Sequence, residues 1–259
     1  MTAPTLELIL DGFTFPEGPV FDRDGKLYIC DVRAETIVQV DPTQKTQKNW
    51  LQGFGAPNGA TLSTDGSALL VAESKHRRVL RIDFDQRITV LTDQLLLGPN
   101  DLTTDGPGNI YFTDPTWEPL PHPIPQQVYS LTPDGKMQSL GVFQQPNGIK
   151  YWQGKLFLAE GATGKIYQTA PGSHVFQPFA SIQSQALDGL EVDLWGRVYV
   201  AAFDLGCIVV FSAQGQEQAR WTLPDSNPTN LEFSPDQKYL YITEAKHGRL
   251  FRFSQLPPP

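Results

Sequence analysis

The sequence predicts an all-β protein with one domain over residues 1–259, a six-bladed β-propeller of four-stranded blades whose N-terminal strand completes the last blade. Three observations lead there. A polar pair recurs six times, as Glu17-Gly18, Asn58-Gly59, Asn100-Asp101, Asn147-Gly148, Asp188-Gly189 and Asn230-Leu231, at intervals of roughly 41 to 47 residues, the period of a propeller blade. Each pair opens a short strand, a tight turn and a strongly apolar strand. Five repeats then end in an edge strand, the sixth has none, and Thr5-Leu6-Glu7-Leu8-Ile9-Leu10 stands before Glu17 as each edge strand stands before the next repeat.

The first strand of each repeat is short, at 19–21, 60–62, 102–104, 149–151, 190–192 and 231–233. The turn after it contains glycine in every repeat but the last, where Asp236-Gln237 stands instead, as hairpin turns with positive φ prefer. The second strand (26–30, 68–72, 109–113, 155–159, 197–201, 239–243) is β-branched and aromatic, as a strand buried on both faces between stacked blades requires. The third strand alternates, as in Val79-Leu80-Arg81-Ile82, and the fourth is the edge at 44–51, 87–92, 136–141, 173–180 and 217–222. Closing the ring with residues 5–10 leaves only short, protected edges. No helix longer than a turn is expected.

A chain of 259 residues buries about three quarters of its unfolded surface, so its core needs no disulfide. The two cysteines fall in the first and fifth repeats and are expected to be free, Cys30 buried in a column of small residues and Cys207, which matches Lys165 and Arg249, exposed. A net charge of −8 with no Lys/Arg run argues against nucleic acid and against an anionic membrane surface, and favours a small-molecule partner. With no basic head, leader-like apolar run or stretch of about 18 apolar residues, the chain is expected to be cytoplasmic, as a monomer or weak homo-oligomer.

In such a ring the first strands line a central channel, so Glu17, Asn58, Asn100, Asn147, Asp188 and Asn230 are expected to converge at one mouth. Asn-Gly and Asp-Gly are also ordinary turn dipeptides, which a repeat can keep for backbone reasons alone. Glu17 is a poor turn former, however, and asks for another role. Two carboxylates among carboxamides in a narrow channel are costly unless a cation joins them, and oxygen donors without His or Cys suit calcium or another hard ion better than a His/Cys-type zinc site.

The phrases Phe15-Pro16-Glu17-Gly18-Pro19, Gly98-Pro99-Asn100-Asp101-Leu102, Phe112-Thr113-Asp114-Pro115, Pro146-Asn147-Gly148-Ile149, Leu187-Asp188-Gly189 and Pro228-Thr229-Asn230-Leu231 resemble the gluconolactonase family. That family also contains senescence marker protein (regucalcin) and luciferin-regenerating enzyme, and is similar in architecture to paraoxonase and diisopropyl fluorophosphatase. The resemblance spans nearly the whole chain. It implies a divalent ion in the channel, calcium first, with zinc, manganese or magnesium as alternatives. Glu17, Asn147 and Asp188 match the family's metal ligands, Asn100 matches an asparagine that contacts the metal or its bound water and substrate, and Asp188 matches the acid placed as general base or nucleophile. The animal branch carries an Arg two residues before the position of Asn100; here that residue is Gly98.

An acidic column closes the second strands, Asp31, Glu73, Asp114, Glu160 and Glu244, interrupted by Ala202, and is expected to anchor neighbouring loop backbone. His76, His174 and His247 are expected on solvated loops. The longest loop, 114–126, alternates prolines with Trp117, Leu120, His122 and Ile124, which favours a stiff extended lid with Trp117, His122 and Ile124 near substrate. No Gly-x-Ser-x-Gly or Ser/His/Asp pattern appears. The expected activity is therefore metal-dependent hydrolysis of a lactone or related ester. Alternatives are phosphotriester or fluorophosphate hydrolysis, a propeller that binds a metal or sugar without turnover, and a strictosidine-synthase-like propeller, against which the set Glu17, Asn147 and Asp188 argues.

Overall fold

A computed structural model describes residues 4–92, 94, 96–117 and 124–254. It contains six four-stranded antiparallel sheets arranged as blades around a channel. The inner strands are Pro16–Phe21, Pro57–Leu62, Leu102–Thr104, Pro146–Trp152, Leu187–Val192 and Pro228–Phe233. Next outward lie Leu27–Asp31, Ala68–Glu73, Ile110–Asp114, Lys155–Glu160, Val198–Ala202 and Leu240–Glu244, apolar on both faces and almost wholly buried. The expected closure is present: Thr5–Leu10 pairs antiparallel with Arg249–Ser254, from Thr5 opposite Ser254 to Leu10 opposite Leu250. The described helix consists of two three-residue 3₁₀ turns, so none is long enough to cross a membrane.

The core lies between blades. Tyr199, Ile208 and Trp221 of the fifth blade pack on Leu231, Phe233 and Leu240 of the sixth, with the Tyr199 and Phe233 rings edge to face at 5.2 Å. Side chains of this size stabilise by about 1.5–3 kcal/mol each when buried. The turn after the inner strand is held by its first residue: Asp22 accepts the Asp24 and Lys26 amides and the Tyr28 hydroxyl, and Asp105 with Tyr111 and Asp193 with Tyr199 repeat this in the third and fifth blades. The same geometry thus recurs in alternate blades.

The acidic column anchors loops as expected. Asp31 accepts the Thr14 and Phe15 amides, Glu73 that of Ala56, Asp114 those of Leu97 and Gly98, Glu160 that of Gln144 and Glu244 that of Asn227. Where Ala202 interrupts the column, Asp204 takes over, accepting the Ser184 hydroxyl and the Gln185 amide. Both cysteines are free, but Cys207 is 5% exposed rather than surface-lying. Lys165 and Arg249 in the same column are long enough to reach solvent, whereas the short thiol packs with Leu187 and Ala202.

Candidate active site

In five of the six blades the polar pair lies at a β-bulge inside a longer inner strand; in the third the strand starts only after Asn100-Asp101, at Leu102. Asn58-Gly59 face the single residue Ala72, Asn147-Gly148 face Ala159, Asp188-Gly189 face Ala201, and the register slips likewise between Glu17 and Val20. A bulge gives one strand an extra residue and re-aims its side chain, here into the channel. Gly59 and Gly189 are not in the left-handed region, so their role is space: a Cβ would lie 2.5 Å from Asp101 Oδ1 and 2.3 Å from Asn230 Oδ1 respectively.

The bulge register corrects one expectation. In the sixth blade the residues facing Thr243 are Thr229 and Asn230, so Thr229 occupies the column of Glu17 and Asn230 the next one inward. The Thr229 hydroxyl is spent on the wall, donating to the Pro16 carbonyl at 2.7 Å and meeting the Thr243 hydroxyl at 2.8 Å. Five polar side chains therefore line the floor of the cavity at this mouth: Glu17, Asn58, Asn100, Asn147 and Asp188. The spacing Pro228-Thr229-Asn230, against Pro146-Asn147, was the signal that could have shown this.

Beneath them, four glycines and two side chains, Asp101 and Asn230, form a second layer. Asp101 accepts the amides of Leu102 and, from the neighbouring blade, Ile149. The Asn230 carboxamide hydrogen-bonds both Asp101 and Glu17. A third layer holds Lys150, ion-paired to Glu191 and 3.4 Å from Glu232. Sequence reading singled out neither Asp101 as a separate group nor this charged trio.

Burial, and then the charges of Asp188 and Asp101, pushes Glu17 well above the usual carboxylate range. Asp188 is raised well above it too, by burial and by Asp101, against hydrogen bonds from the Asn147 carboxamide and the Gly189 amide that favour its anion. Asp101 is raised to about 6, by burial. Among the described residues no three His, Cys, Asp or Glu side chains form a metal-ligand cluster. The floor is a mixed set instead, two carboxylates with three carboxamides, all able to present oxygen. The Asn58 Oδ1 atom is buried with no partner among the described residues. An unmet acceptor beside two anions whose ionisation is opposed is what a hard, oxygen-preferring cation would relieve, so the donors fit such an ion.

The cavity measures about 720 Å³ and rises from this floor past Phe15, Leu97, Pro115 and Phe203. Trp117 and Ile124 line it while remaining exposed. The stem of their loop is tied by the Thr116 amide, which donates to Gln126 Oε1 at 3.1 Å. His122 lies outside the described residues. Gly98 lines the cavity, its amide held by Asp114.

Comparison with known proteins follows the same lines. The family model described as "SMP-30/Gluconolactonase/LRE-like region" matches residues 15–246. The diisopropyl-fluorophosphatase of Loligo vulgaris is 26% identical over 289 residues, covering 96% of this chain and 92% of that protein. The pentonolactonase of Haloferax volcanii is 26% identical over 246 residues, covering 88% and 81%. The structure of a gluconolactonase from Xanthomonas campestris superposes with a TM-score of 0.86 at 24% identity, covering 96% of this chain and 89% of the other.

Proposed function

Because the chain belongs to the SMP-30/gluconolactonase/LRE-like family, we propose that it is a divalent-metal-dependent hydrolase of lactones or related carboxylic esters. One observation carries the reading: two buried carboxylates and three carboxamides, one with an unmet oxygen, converge on the floor of a substrate-sized cavity. Glu17, Asn147 and Asp188 would hold the ion, with Asn100 beside it and the unmet Asn58 oxygen facing the same floor. When bound, a cation such as calcium supplies positive charge to the carbonyl oxygen of the substrate.

The remaining work falls to the chain itself. Asp188 takes a proton from the attacking water or attacks the carbonyl directly, and the Asn147 carboxamide fixes its orientation. Asn100 positions the substrate. Trp117 and Ile124 cover its apolar part and exclude water. With Gly98 leaving the wall uncharged at that point, this favours lactones or esters with an apolar portion over bare sugar lactones.

The fluorophosphatase relative, matched over 96% of this chain, supports a second reading in which the same floor hydrolyses phosphotriesters. A panel of lactones and phosphotriesters, assayed on metal-stripped protein with calcium, zinc, manganese or magnesium restored singly, separates the two. Turnover of phosphotriesters alone would replace the lactonase reading, and turnover of neither class under any metal would leave a binding protein.

A further inference from the structure

The chain has ten arginines, and most are neutralised: Arg78, Arg81, Arg87, Arg197, Arg220, Arg249 and Arg252 each pair with a carboxylate. Arg23 donates to the Thr64 carbonyl. The two that remain, Arg33 and Arg77, both line the cavity, on the loops leaving the second strands of the first and second blades. Neither makes a hydrogen bond or ion pair among the described residues. Arg33 lays its guanidinium over the Phe15 ring at 4.7 Å, which orients the planar group while leaving its N–H donors unspent.

In a chain of net charge −8, two guanidiniums at one mouth without a hydrogen-bonded carboxylate, Arg77 acting only at longer range on Asp114, make a local field opposite to that of the whole molecule. Lys75 lines the same wall, paired to Glu35, so the rim is cationic where the floor is acidic. Among the described residues the carboxylates lining the cavity are Glu17 and Asp188, both buried at the floor and both assigned above to an ion. Guanidinium forks suit carboxylate and phosphate oxygens in bidentate geometry.

We infer that the substrate carries an anionic group, a carboxylate or a phosphate monoester, set apart from the scissile carbonyl and held by Arg33 and Arg77 at the rim. Trp117 and Ile124 come from the third blade and face a different stretch of the substrate, which is then amphipathic: a reacting carbonyl over the floor, an apolar portion beside these two side chains and an anion toward the first two blades. The assignment of the reacting end rests on the hydrolase reading above; that of the anion does not.

The test uses three matched lactones, bearing a carboxylate, a phosphate or a neutral methyl ester at the same position, and the cyclic ether analogues of each, which cannot be hydrolysed. Wild type should favour the anionic lactones by about tenfold in kcat/KM, and bind their ethers more tightly by a similar factor in calorimetry. The preference should shrink as salt rises from about 50 to about 500 mM. In Arg33→Gln/Arg77→Gln the anionic-to-neutral ratio should fall close to one, while Arg33→Lys/Arg77→Lys keeps part of it. The larger of the two anionic preferences identifies the group. Equal binding of anionic and neutral ethers by wild type, or a ratio unchanged in the double Gln variant, overturns the inference. Failure to hydrolyse any of the lactones would remove the lactonase reading, and the ether titrations would still decide the anion.

Discussion

The carboxamide of Asn230 hydrogen-bonds the Asp101 carboxylate across the channel, joining the sixth blade to the third. The same carboxamide reaches Glu17, so one neutral side chain steadies two acids of the site from below. Glycines at 59 and 189 leave the room in which Asp101 and Asn230 extend. The floor is therefore pre-organised by a layer that does not itself line the cavity.

Asp188→Asn is expected to lower kcat by on the order of 10²- to 10⁴-fold, the worth of a positioned base, while keeping an oxygen for the ion. Glu17→Gln should act through metal affinity and recover with excess metal. Steady-state kinetics beside calorimetric calcium titration distinguishes them. Equal losses, both rescued by metal, would make Asp188 a ligand and nothing more.

Chelation should lower the melting temperature, and calcium should restore it. Two charged ligands among neutral oxygens suggest a Kd of roughly 10⁻⁵ to 10⁻³ M. At a hundred times Kd the folded state gains about 2.7 kcal/mol, about 5–10 °C for a domain of this size. Scanning calorimetry with and without chelator would show the shift; an unchanged melting point together with no metal by elemental analysis would reject the ligand set.

Trp117→Ala should reduce kcat/KM for an alkyl-substituted lactone, by a few kcal/mol in transition-state terms at most, and mainly through KM. Gluconolactone measured in parallel is the control. A wild-type preference for gluconolactone that the substitution leaves untouched would remove the lid role.

Burial alone would depress Lys150, but the charges of Glu191 and Glu232 and the hydrogen bond to Glu191 hold its pKa above the usual lysine value. Glu232 is raised to about 8, by burial and then by Glu191 against the pull of Lys150. Lys150→Met leaves two acids facing each other without a cation, at a cost of about 3–5 kcal/mol. Urea denaturation should show that loss, and Lys150→Met/Glu191→Gln should regain part of it; a single variant as stable as wild type would show that the trio contributes nothing.

The phenols of Tyr28, Tyr111 and Tyr199 are buried and donate to Asp22, Asp105 and Asp193. Burial, then Asp22, raises Tyr28 to about 12, and Tyr111 and Tyr199 are also raised. An unfolded tyrosine releases its proton near pH 10, so between about 10 and 12 the folded chain binds more protons and stability falls as pH rises. Below 10 the contribution is complete. Phenolate absorbance beside denaturation midpoints would show it; ionisation of these tyrosines near pH 10 in folded protein would contradict the assignment.

The fold was legible because repetition speaks louder than propensity. Six polar pairs, six apolar second strands and one missing edge strand specify the blade count and the closure by Thr5–Leu10, and the same columns exposed Glu17, Asn58, Asn100, Asn147 and Asp188 and the loop-anchoring acids. All of these are periodic, and period is a property of the chain alone.

What the tertiary structure decided is register and convergence. A bulge shifts a strand by one residue, and in the sixth blade that residue moves Asn230 out of the cavity floor into the layer of Asp101, a distinction that pairing with Thr243 sets and local propensity does not. Lys150 and Glu191 are 41 residues apart and Lys150 and Glu232 are 82 apart along the chain, and they meet because inner strands of successive blades face one axis. Arg33 and Arg77 became a pair only when the first two blades set their loops over one cavity and every other arginine had found its partner. Sequence determined which residues recur; closure of the ring decided which of them share a space.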